Sequence, residues 1–429
     1  MNICMFTNTY LPHVGGVARS VDSFAEDLRG MGHRVLIVAP HFQKNAVHDD
    51  PWTVRLTAIQ HFNGSDFAVR IPLPFVVERE IEAFAPDIIH SHHPFLLGDT
   101  ALRVARQKGL PLVFTHHTLY EKYIHYIPLE SDRLESFVLS LTTLYANFCD
   151  RVIAPSRSLA RLIRQRGVRT PISVIPTGVN VDMFARGSGH GFRKKHGIPT
   201  DALVVGHIGR LAAEKNLDYL VEAVRLFIGD HPHAVFLVVG DGPRGEAVNG
   251  AFDRAGLRDK LFMPGCQTGD ALADAYRAMD LFVFASLSET QGLVLAEAMA
   301  AGLPVIALDA SGARDIVKEG VNGRLLPRTA PSGAFAAAIE TAIADDRMMQ
   351  RWRAEAVKTA HRHARQVSAQ KLSDLYAKIL KRDNPQKGRE ELSALDSLTS
   401  RIKLEWALLS GKIKSVVEAV PAASSDEII

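Results

Sequence analysis

Short apolar strands alternate with amphipathic helices along most of this 429-residue chain, in two successive sets. Strands buried on both faces carry nearly continuous runs of Val, Ile, Leu and Phe, and parallel strands are joined by helical crossovers. The alternation therefore predicts an α/β fold with two doubly wound parallel sheets, one in each half. The predicted strands are 35–39, 88–90, 112–115 and 152–154, then 204–208, 235–239, 281–285 and 305–308.

One stretch of turn-forming residues separates the two sets of strands. Pro176 and Gly178 lie in the segment 173–182, so we expect the linker there. The length and the 47% hydrophobic content allow two sizeable cores. We therefore place one Rossmann-like domain at 1–178 and a second at 179–365.

The C-terminal part has helical spacing from 347 to 381. Beyond it we expect a polar linker and a tail over 383–429, with an amphipathic helix at 390–420 and a frayed end. The candidate packing positions of 347–381 are Trp352, Ala356, Ala360, Val367, Leu372, Leu375, Tyr376, Ile379 and Leu380.

Composition narrows the class of protein. The net charge of +3 is too small to indicate nucleic-acid binding. Cys4, Cys149 and Cys266 lie far apart, which supports neither a disulfide framework nor a zinc site and fits a reducing cytoplasm. No run of 18 apolar residues occurs, and the N-terminus leads straight into a strand. We expect a cytoplasmic protein that is soluble or attached to a membrane from one side.

Two carboxylates, Glu289 and Glu297, lie eight positions apart after a predicted buried strand. Thr290, Gln291 and Gly292 are expected to open a helix whose first N–H groups suit a diphosphate, which puts Glu297 about two turns into it. Ionised carboxylates accept hydrogen bonds from paired sugar hydroxyls, so the two could bind a sugar nucleotide at two points. A solvated glutamate pair is the equally good alternative at this point.

Loops that follow other strands carry further candidates. The apolar strand 3–6 leads to Gly15 and Gly16, whose lack of a Cβ would let the backbone approach a diphosphate, although most such pairs are only turns. The dinucleotide pattern Gly-x-Gly-x-x-Gly is absent there, which counts against a nicotinamide enzyme. Arg210 and Lys215 flank the loop after strand 204–208 and could neutralise a leaving nucleoside diphosphate. Without context, both are more often ordinary surface charges.

Histidines follow two neighbouring strands of the first half. His116 and His117 lie at the carboxyl end of the strand 112–115, and the cluster 90–94 follows the strand residues Ile88 and Ile89, so both reach the edge where parallel sheets bind ligands. Such clustering could indicate a metal. No Asp-x-Asp pair occurs and no carboxylate accompanies the histidines at ligand spacing, so we favour a polar sugar pocket without metal.

These motifs together resemble glycosyltransferase family 4, which has the GT-B fold, over residues 1 to 380. The Glu-x7-Glu element with Glu289-Thr290-Gln291-Gly292 is most similar to the diacylglycerol glucosyltransferase branch. The resemblance implies two Rossmann-like domains facing a cleft, an acceptor-side one at 1–178 and a nucleotide-sugar-binding one at 179–365. A helix at 366–382 would return to the first domain.

The resemblance also implies roles for individual residues. Arg210 and Lys215 would hold the leaving diphosphate. Glu289 would bind the donor sugar, Glu297 the ribose, and His117 rather than His116 a sugar hydroxyl near the reacting carbon. The other residues implied at the donor site are Gly15, Gly16, Gly240, Asp241, Gln291, Gly292, Leu293 and Val294.

The activity implied is retaining, metal-independent transfer of a hexose from a nucleoside diphosphate sugar to an acceptor hydroxyl, with no cofactor required; the hexose expected is glucose and the donor UDP-glucose. Diacylglycerol at the inner face of the cell membrane is the implied acceptor, because 120–127 resembles the acceptor-side segment of that branch. The segment 75–84 is net acidic where lipid-modifying relatives have a basic helix, and the arginines at 157, 161 and 164 share one helical face that could be ordinary surface. Transfer of a hexose or mannose to a soluble or polyprenyl-linked glycan, a GT-B epimerase and a non-catalytic sensor remain alternatives.

Overall fold

The computed structural model describes residues 1–12, 15–41, 50–56, 78–120 and 132–382. The chain divides into two compact units. Unit 1 comprises Met1–Ile175 together with the described chain from Ala369 onward, and unit 2 comprises Pro176–Ser368. The expected tail helix at 390–420 lies outside the described residues.

Unit 1 contains a seven-stranded sheet in the order β3-β2-β1-β4-β5-β6-β7, and its strands pair in parallel. The strands are β1 (Asn2–Phe6), β2 (Arg34–Pro40), β3 (Thr53–Leu56), β4 (Ile88–Ser91), β5 (Leu112–Thr115), β6 (Arg151–Ala154) and β7 (Ile172–Val174). The helices between them are α1 (Gly16–Gly30), α2 (Glu78–Phe84), α3 (Leu97–Lys108), α4 (Asp132–Phe148) and α5 (Arg157–Gln165).

Unit 2 contains a six-stranded parallel sheet in the order β10-β9-β8-β11-β12-β13. Its strands are β8 (Leu203–Ile208), β9 (Ala234–Val239), β10 (Leu261–Gly265), β11 (Leu281–Phe284), β12 (Val305–Leu308) and β13 (Gly323–Leu326). Its helices are α6 (Val181–Ala185), α7 (Gly189–His196), α8 (Leu217–Asp230), α9 (Gly245–Arg254), α10 (Gly269–Arg277), α11 (Leu293–Ala300), α12 (Ala313–Ile316), α13 (Ser332–Ile343) and α14 (Asp346–Arg362).

Both sheets are covered by helices on their two faces, as the apolar strands predict. Along β9, Val235 and Leu237 enter one hydrophobic cluster while Phe236 and Val238 enter another on the opposite face. Successive side chains of a strand point to opposite faces, so a strand that is apolar at every position must be buried on both. The predicted pair of doubly wound parallel sheets is confirmed.

The helical segment at 347–381 is split into two helices, α14 and α15 (Arg365–Arg382). The last helix buries Leu372 and Tyr376 in the same hydrophobic cluster of unit 1 as Ile3 of β1. The proposed packing position Val367 is wrong, because its side chain is 39% exposed. It lies in the first turn of α15, before the stretch that packs on unit 1.

The strand orders place a topological switch point in each sheet. In unit 1 the winding reverses beside β1 and β4, and in unit 2 beside β8 and β11. Loops diverge at the carboxyl ends of such strands and leave a crevice there, which is where ligands bind in open parallel sheets. The loop after β4 carries His92, the loop after β8 carries Arg210 and Lys215, and the loop after β11 carries Glu289.

Candidate functional site

The loop after β8 places Lys215 beside the carboxyl end of β11. Ala213–Lys215 forms a short 3₁₀ turn, and Asn216 follows in the left-handed conformation with φ of 55°. The side-chain amide of Asn216 donates a hydrogen bond of 3.3 Å to the carbonyl oxygen of Ala285, just after β11. This bond ties the two loops together. Arg210 lies on the same loop, with an exposed side chain.

Lys215 and Glu289 form an ion pair in unit 2. The Nζ of Lys215 contacts Oε1 of Glu289, and Ser286 donates a hydrogen bond of 3.1 Å to the same oxygen. The side chains of the pair are 20% and 15% exposed. Burial raises the pKa of Glu289, but the charge of Lys215 and the two hydrogen bonds outweigh it, so the pKa lies below its usual value. The carboxylate is therefore ionised at neutral pH, and two residues predicted to hold different parts of a ligand are direct neighbours.

The helix that carries Glu297 begins later than the sequence suggested. Thr290 and Gln291 precede it, and Gly292 is its N-cap in the left-handed conformation, with φ of 75°. Helix α11 starts at Leu293, so Glu297 is its fifth residue and lies just past the first turn instead of about two turns in. The error arises because the glycine turn, and not the preceding polar residues, redirects the chain into the helix.

A tyrosine that the sequence reading missed orients Glu297. The hydroxyl of Tyr276, on α10, donates a hydrogen bond of 2.8 Å to Oε2 of Glu297. Both residues are buried, at 0% and 5% exposure. A tyrosine at an apolar position of a helix is typical of a core residue, and the hydroxyl of Tyr276 is the one signal in the sequence of a polar partner. Val294, in the first turn of α11, accepts from the same hydroxyl through its carbonyl oxygen at 3.3 Å.

The side chain of Gln291 is committed to the backbone of the same unit. Its Oε1 accepts a hydrogen bond of 2.8 Å from the N–H of Thr177, and its Nε2 donates one of 2.6 Å to the carbonyl oxygen of Thr177. Gln291 is 7% exposed. Any ligand contact by Gln291 would therefore come from its backbone. Its side-chain amide is already hydrogen-bonded to the backbone of Thr177.

The glycine-rich turn after β9 shapes the loop that carries Arg210. Gly240 has φ of +138°, and a Cβ added there would lie 1.9 Å from the carbonyl oxygen of Gly209. The carbonyl oxygen of Asp241 accepts a hydrogen bond of 2.9 Å from the N–H of Leu211. Gly240 and Asp241 therefore have a structural task in setting the path of this loop.

Replacing Gly240 by alanine should destabilise unit 2 by about 3 kcal/mol, because the new methyl group overlaps Gly209 in a strained backbone conformation. The exposed Gly229 of α8 is a matched control, since a Cβ there meets nothing within 4 Å. Gly229→Ala should be neutral or slightly stabilising. Urea unfolding of both variants measures the difference, and equal midpoints would contradict the close approach.

The glycine pair of unit 1 begins helix α1. Gly15 is its N-cap in an extended conformation, and Gly16 is its first residue. Among the described residues, no heavy atom lies within 4 Å of a Cβ built at Gly16. Packing within this part of the chain therefore does not require a glycine at position 16.

The histidines that follow β4 and β5 have different partners. His117 lies after β5, half-buried, with its Nε2 2.9 Å from Nδ1 of the fully buried His92. His116 instead lines a cavity of about 10 Å³ together with Tyr120, room for a single water. His93 holds the loop after β1, because its Nδ1 accepts a hydrogen bond of 3.0 Å from the N–H of Asn8.

Burial lowers the pKa of these imidazoles, to about 3 for His90 and about 4 for His116. The rings are therefore neutral at physiological pH. Within the part of the chain that the structure describes, no three His, Cys, Asp or Glu side chains are grouped as metal ligands. In the same part, no helix is both long and apolar enough to span a bilayer.

Comparisons with protein families match most of the chain. Residues 14–183 match the family model of Glycosyltransferase Family 4, and residues 191–359 match that of Glycosyl transferases group 1.

Individual relatives are named for different glycosyl transfer activities. An alpha-monoglucosyldiacylglycerol synthase of Acholeplasma laidlawii is 29% identical over 75% of this chain and 84% of the relative. That of Streptococcus pneumoniae is 31% identical over 72% of this chain and 71% of the relative. A GDP-mannose-dependent alpha-mannosyltransferase of Mycobacterium tuberculosis is 31% identical over 76% and 84%, respectively.

Solved structures share the architecture. Anabaena HepE in complex with UDP has a TM-score of 0.72 and 22% identity, over 88% of this chain and 100% of HepE. The sucrose-phosphate synthase of Thermosynechococcus elongatus has a TM-score of 0.72 and 21% identity, over 89% and 99%. These likenesses concern the fold, and with the two parallel sheets they confirm the predicted GT-B fold.

Proposed function

The chain belongs to glycosyltransferase family 4, where it is similar to the diacylglycerol glucosyltransferase branch, and on this premise we propose that it transfers glucose from UDP-glucose to diacylglycerol. The transfer retains the anomeric configuration and needs neither metal nor cofactor. The enzyme works in the cytoplasm, peripherally attached to the inner face of the membrane.

The ion pair of Lys215 and Glu289 carries the proposal. It joins the loops that follow β8 and β11, the two strands at the switch point of unit 2, and α11 begins at the end of the second loop. An ammonium has three donors, so Lys215 can contact Glu289 and a phosphate oxygen together. With Arg210 it stabilises the negative charge that develops on the leaving diphosphate.

Two acidic side chains hold the sugars of the donor. Glu289 is ionised and accepts hydrogen bonds from hydroxyls of the hexose. Glu297 is oriented by Tyr276 and accepts from the ribose hydroxyls. Gly292, Leu293 and the rest of the first turn of α11 contribute backbone N–H groups.

In unit 1, the residues of this proposal are Gly16 and His117. The open space beside Gly16 supports a close approach of the donor phosphates to the backbone, with Gly15 as the N-cap of the same helix. Neutral His117 makes a hydrogen bond with a hydroxyl of the donor sugar.

Diacylglycerol as acceptor is supported by the two glucolipid synthases among the relatives and by a basic face on α5. Arg157, Arg161 and Arg164 are exposed there, while Leu159 and Ile163 are buried against unit 1. Such a face is attracted to anionic head groups. The described helix α2 is net acidic and offers no such attraction.

A transfer assay tests the proposal. The purified chain is incubated with UDP-glucose or GDP-mannose, and with diacylglycerol vesicles containing anionic lipid or soluble glycans. We expect glucosyl transfer to the vesicles, and NMR of the product should show that the anomeric configuration of the donor is preserved.

Transfer only to soluble glycans would refute the lipid acceptor. Transfer only from GDP-mannose would favour the activity named for the mycobacterial relative. An epimerised nucleotide sugar in the donor-only control would identify an epimerase.

A further inference from the structure

The imidazoles of His92 and His117 form a hydrogen-bonded pair in unit 1. The Nδ1 of His92 lies 2.9 Å from Nε2 of His117, and the planes of the rings are 22° apart. His92 is fully buried, whereas His117 is half-buried at the edge of the sheet. His92 therefore lies deeper in unit 1 than His117.

Both rings are neutral. Burial lowers the pKa of each well below the usual imidazole value, and the neighbouring histidines lower them further. A neutral imidazole carries one N–H and one lone pair, so the bond between the two rings holds a single proton. If His92 supplies that proton, the proton of His117 is on Nδ1, and if His117 supplies it, the proton of His117 is on Nε2.

The ring nitrogen of His92 that is not part of this bond indicates which ring donates the proton. Its Nε2 is buried and has no hydrogen-bond partner among the described residues. A buried N–H without an acceptor is rarer in native proteins than an acceptor without a donor. The proton of His92 is therefore on Nδ1 and is donated to Nε2 of His117. His117 then carries its own proton on Nδ1.

Neighbouring groups prevent His92 from turning away. The rings of His90 and His92 have their centroids 4.1 Å apart. His90 is itself held by hydrogen bonds of 2.6 Å to the hydroxyl of Tyr376 and 2.7 Å to the hydroxyl of Thr115. The backbone N–H of His92 donates to the carbonyl oxygen of Phe6 at 2.9 Å. His92 is thus built into the core of unit 1.

We propose that His92 is a positioning residue that fixes His117 as the Nδ1–H tautomer, so that His117 offers the donor sugar an N–H group. This proposal rests on the sugar-binding role proposed for His117. The N–H donates to the oxygen of a sugar hydroxyl. A neutral donor adds no positive charge beside the anomeric carbon, where positive charge develops in glycosyl transfer.

NMR of histidine-labelled protein tests the tautomer without substrate. The ¹⁵N shifts should identify His117, assigned by its loss in His117→Gln, as protonated on Nδ1 and unprotonated on Nε2. Protonation of His117 on Nε2 would overturn the proposal. This measurement reads the histidine pair even if the protein proves to have a different donor or acceptor.

Two substitutions of His92 test its effect on transfer. His92→Leu keeps the bulk but removes the donor, and should lower kcat by about 10²-fold with little change in KM for the donor. His92→Asn restores an N–H donor near the position of Nδ1, and should recover kcat to within about tenfold of the parent. An unchanged kcat in His92→Leu would contradict the positioning role. Equal losses of kcat in both variants would also contradict it if His117 keeps the Nδ1–H tautomer in them. Urea unfolding midpoints of the two variants that match the midpoint of the parent exclude unfolding as the cause of a lower kcat.

Discussion

Lys215→Ala is expected to lower the transfer rate by about 10³-fold while the protein stays folded. The ammonium of Lys215 contacts Glu289 at the switch point of unit 2, where the negative charge of the leaving diphosphate would develop. Removing it also leaves a largely buried carboxylate without its counter-charge. Burial then raises the pKa of Glu289 unopposed by the lysine, so the group can take up a proton instead of unfolding the unit.

A matched control exists on α14, where Lys358 contacts Glu355 at 2.7 Å. The side chain of Lys358 is 65% exposed, so the pair is screened by water and contributes little to stability. Lys358→Ala should transfer at the rate of the parent. The assay is steady-state release of nucleoside diphosphate, with circular dichroism to verify folding. Near-normal turnover of Lys215→Ala would remove the lysine from the chemistry.

Glu289→Gln is the second substitution with a large expected effect, a loss of about 10²- to 10³-fold in kcat. The amide has nearly the same shape but carries no charge, and it accepts hydrogen bonds from the sugar through one oxygen only. Free UDP should bind at least as tightly as in the parent, because the change removes a negative charge beside the proposed phosphate site.

Isothermal calorimetry with UDP and initial rates with UDP-glucose separate the two effects. Glu355→Gln, at the exposed pair of α14, is the matched control and should change neither. If Glu289→Gln kept a rate within about twofold of the parent, the sugar-binding role would be refuted. If it lost UDP affinity as well as rate, the carboxylate would instead stabilise the loops after β8 and β11.

The sequence predicted the interior of both sheets and missed their edges. The nine predicted strands are the central ones of the two sheets, and the four missed strands, β3, β7, β10 and β13, are the outermost. Central strands are apolar at every position because helices cover both faces. An edge strand needs less apolar character. The residues of β7 are half-buried or exposed, and β10 contains Pro264 and Gly265, which sequence patterns associate with turns.

The residue types of the candidate site could be predicted, but their partners could not. Lys215 and Glu289 are 74 positions apart, and their contact depends on how two loops fold beside one switch point. Tyr276 was missed because a tyrosine at a helical core position looks the same whether its hydroxyl has a special partner or not. The histidine motif gave His117, while its bond to His92 required the register of β4 and β5.

The two hydrogen bonds between the side chain of Gln291 and the backbone of Thr177 make the Thr177 amide a reporter of loop motion. The N–H of Thr177 donates a hydrogen bond to the side chain of Gln291, which lies two positions from Glu289. This proton can exchange with solvent only when that hydrogen bond breaks. Hydrogen exchange at this one backbone site thus reports the opening of the Glu289 loop. The exchange rate of this amide proton therefore measures the motion of that loop in the unsubstituted protein.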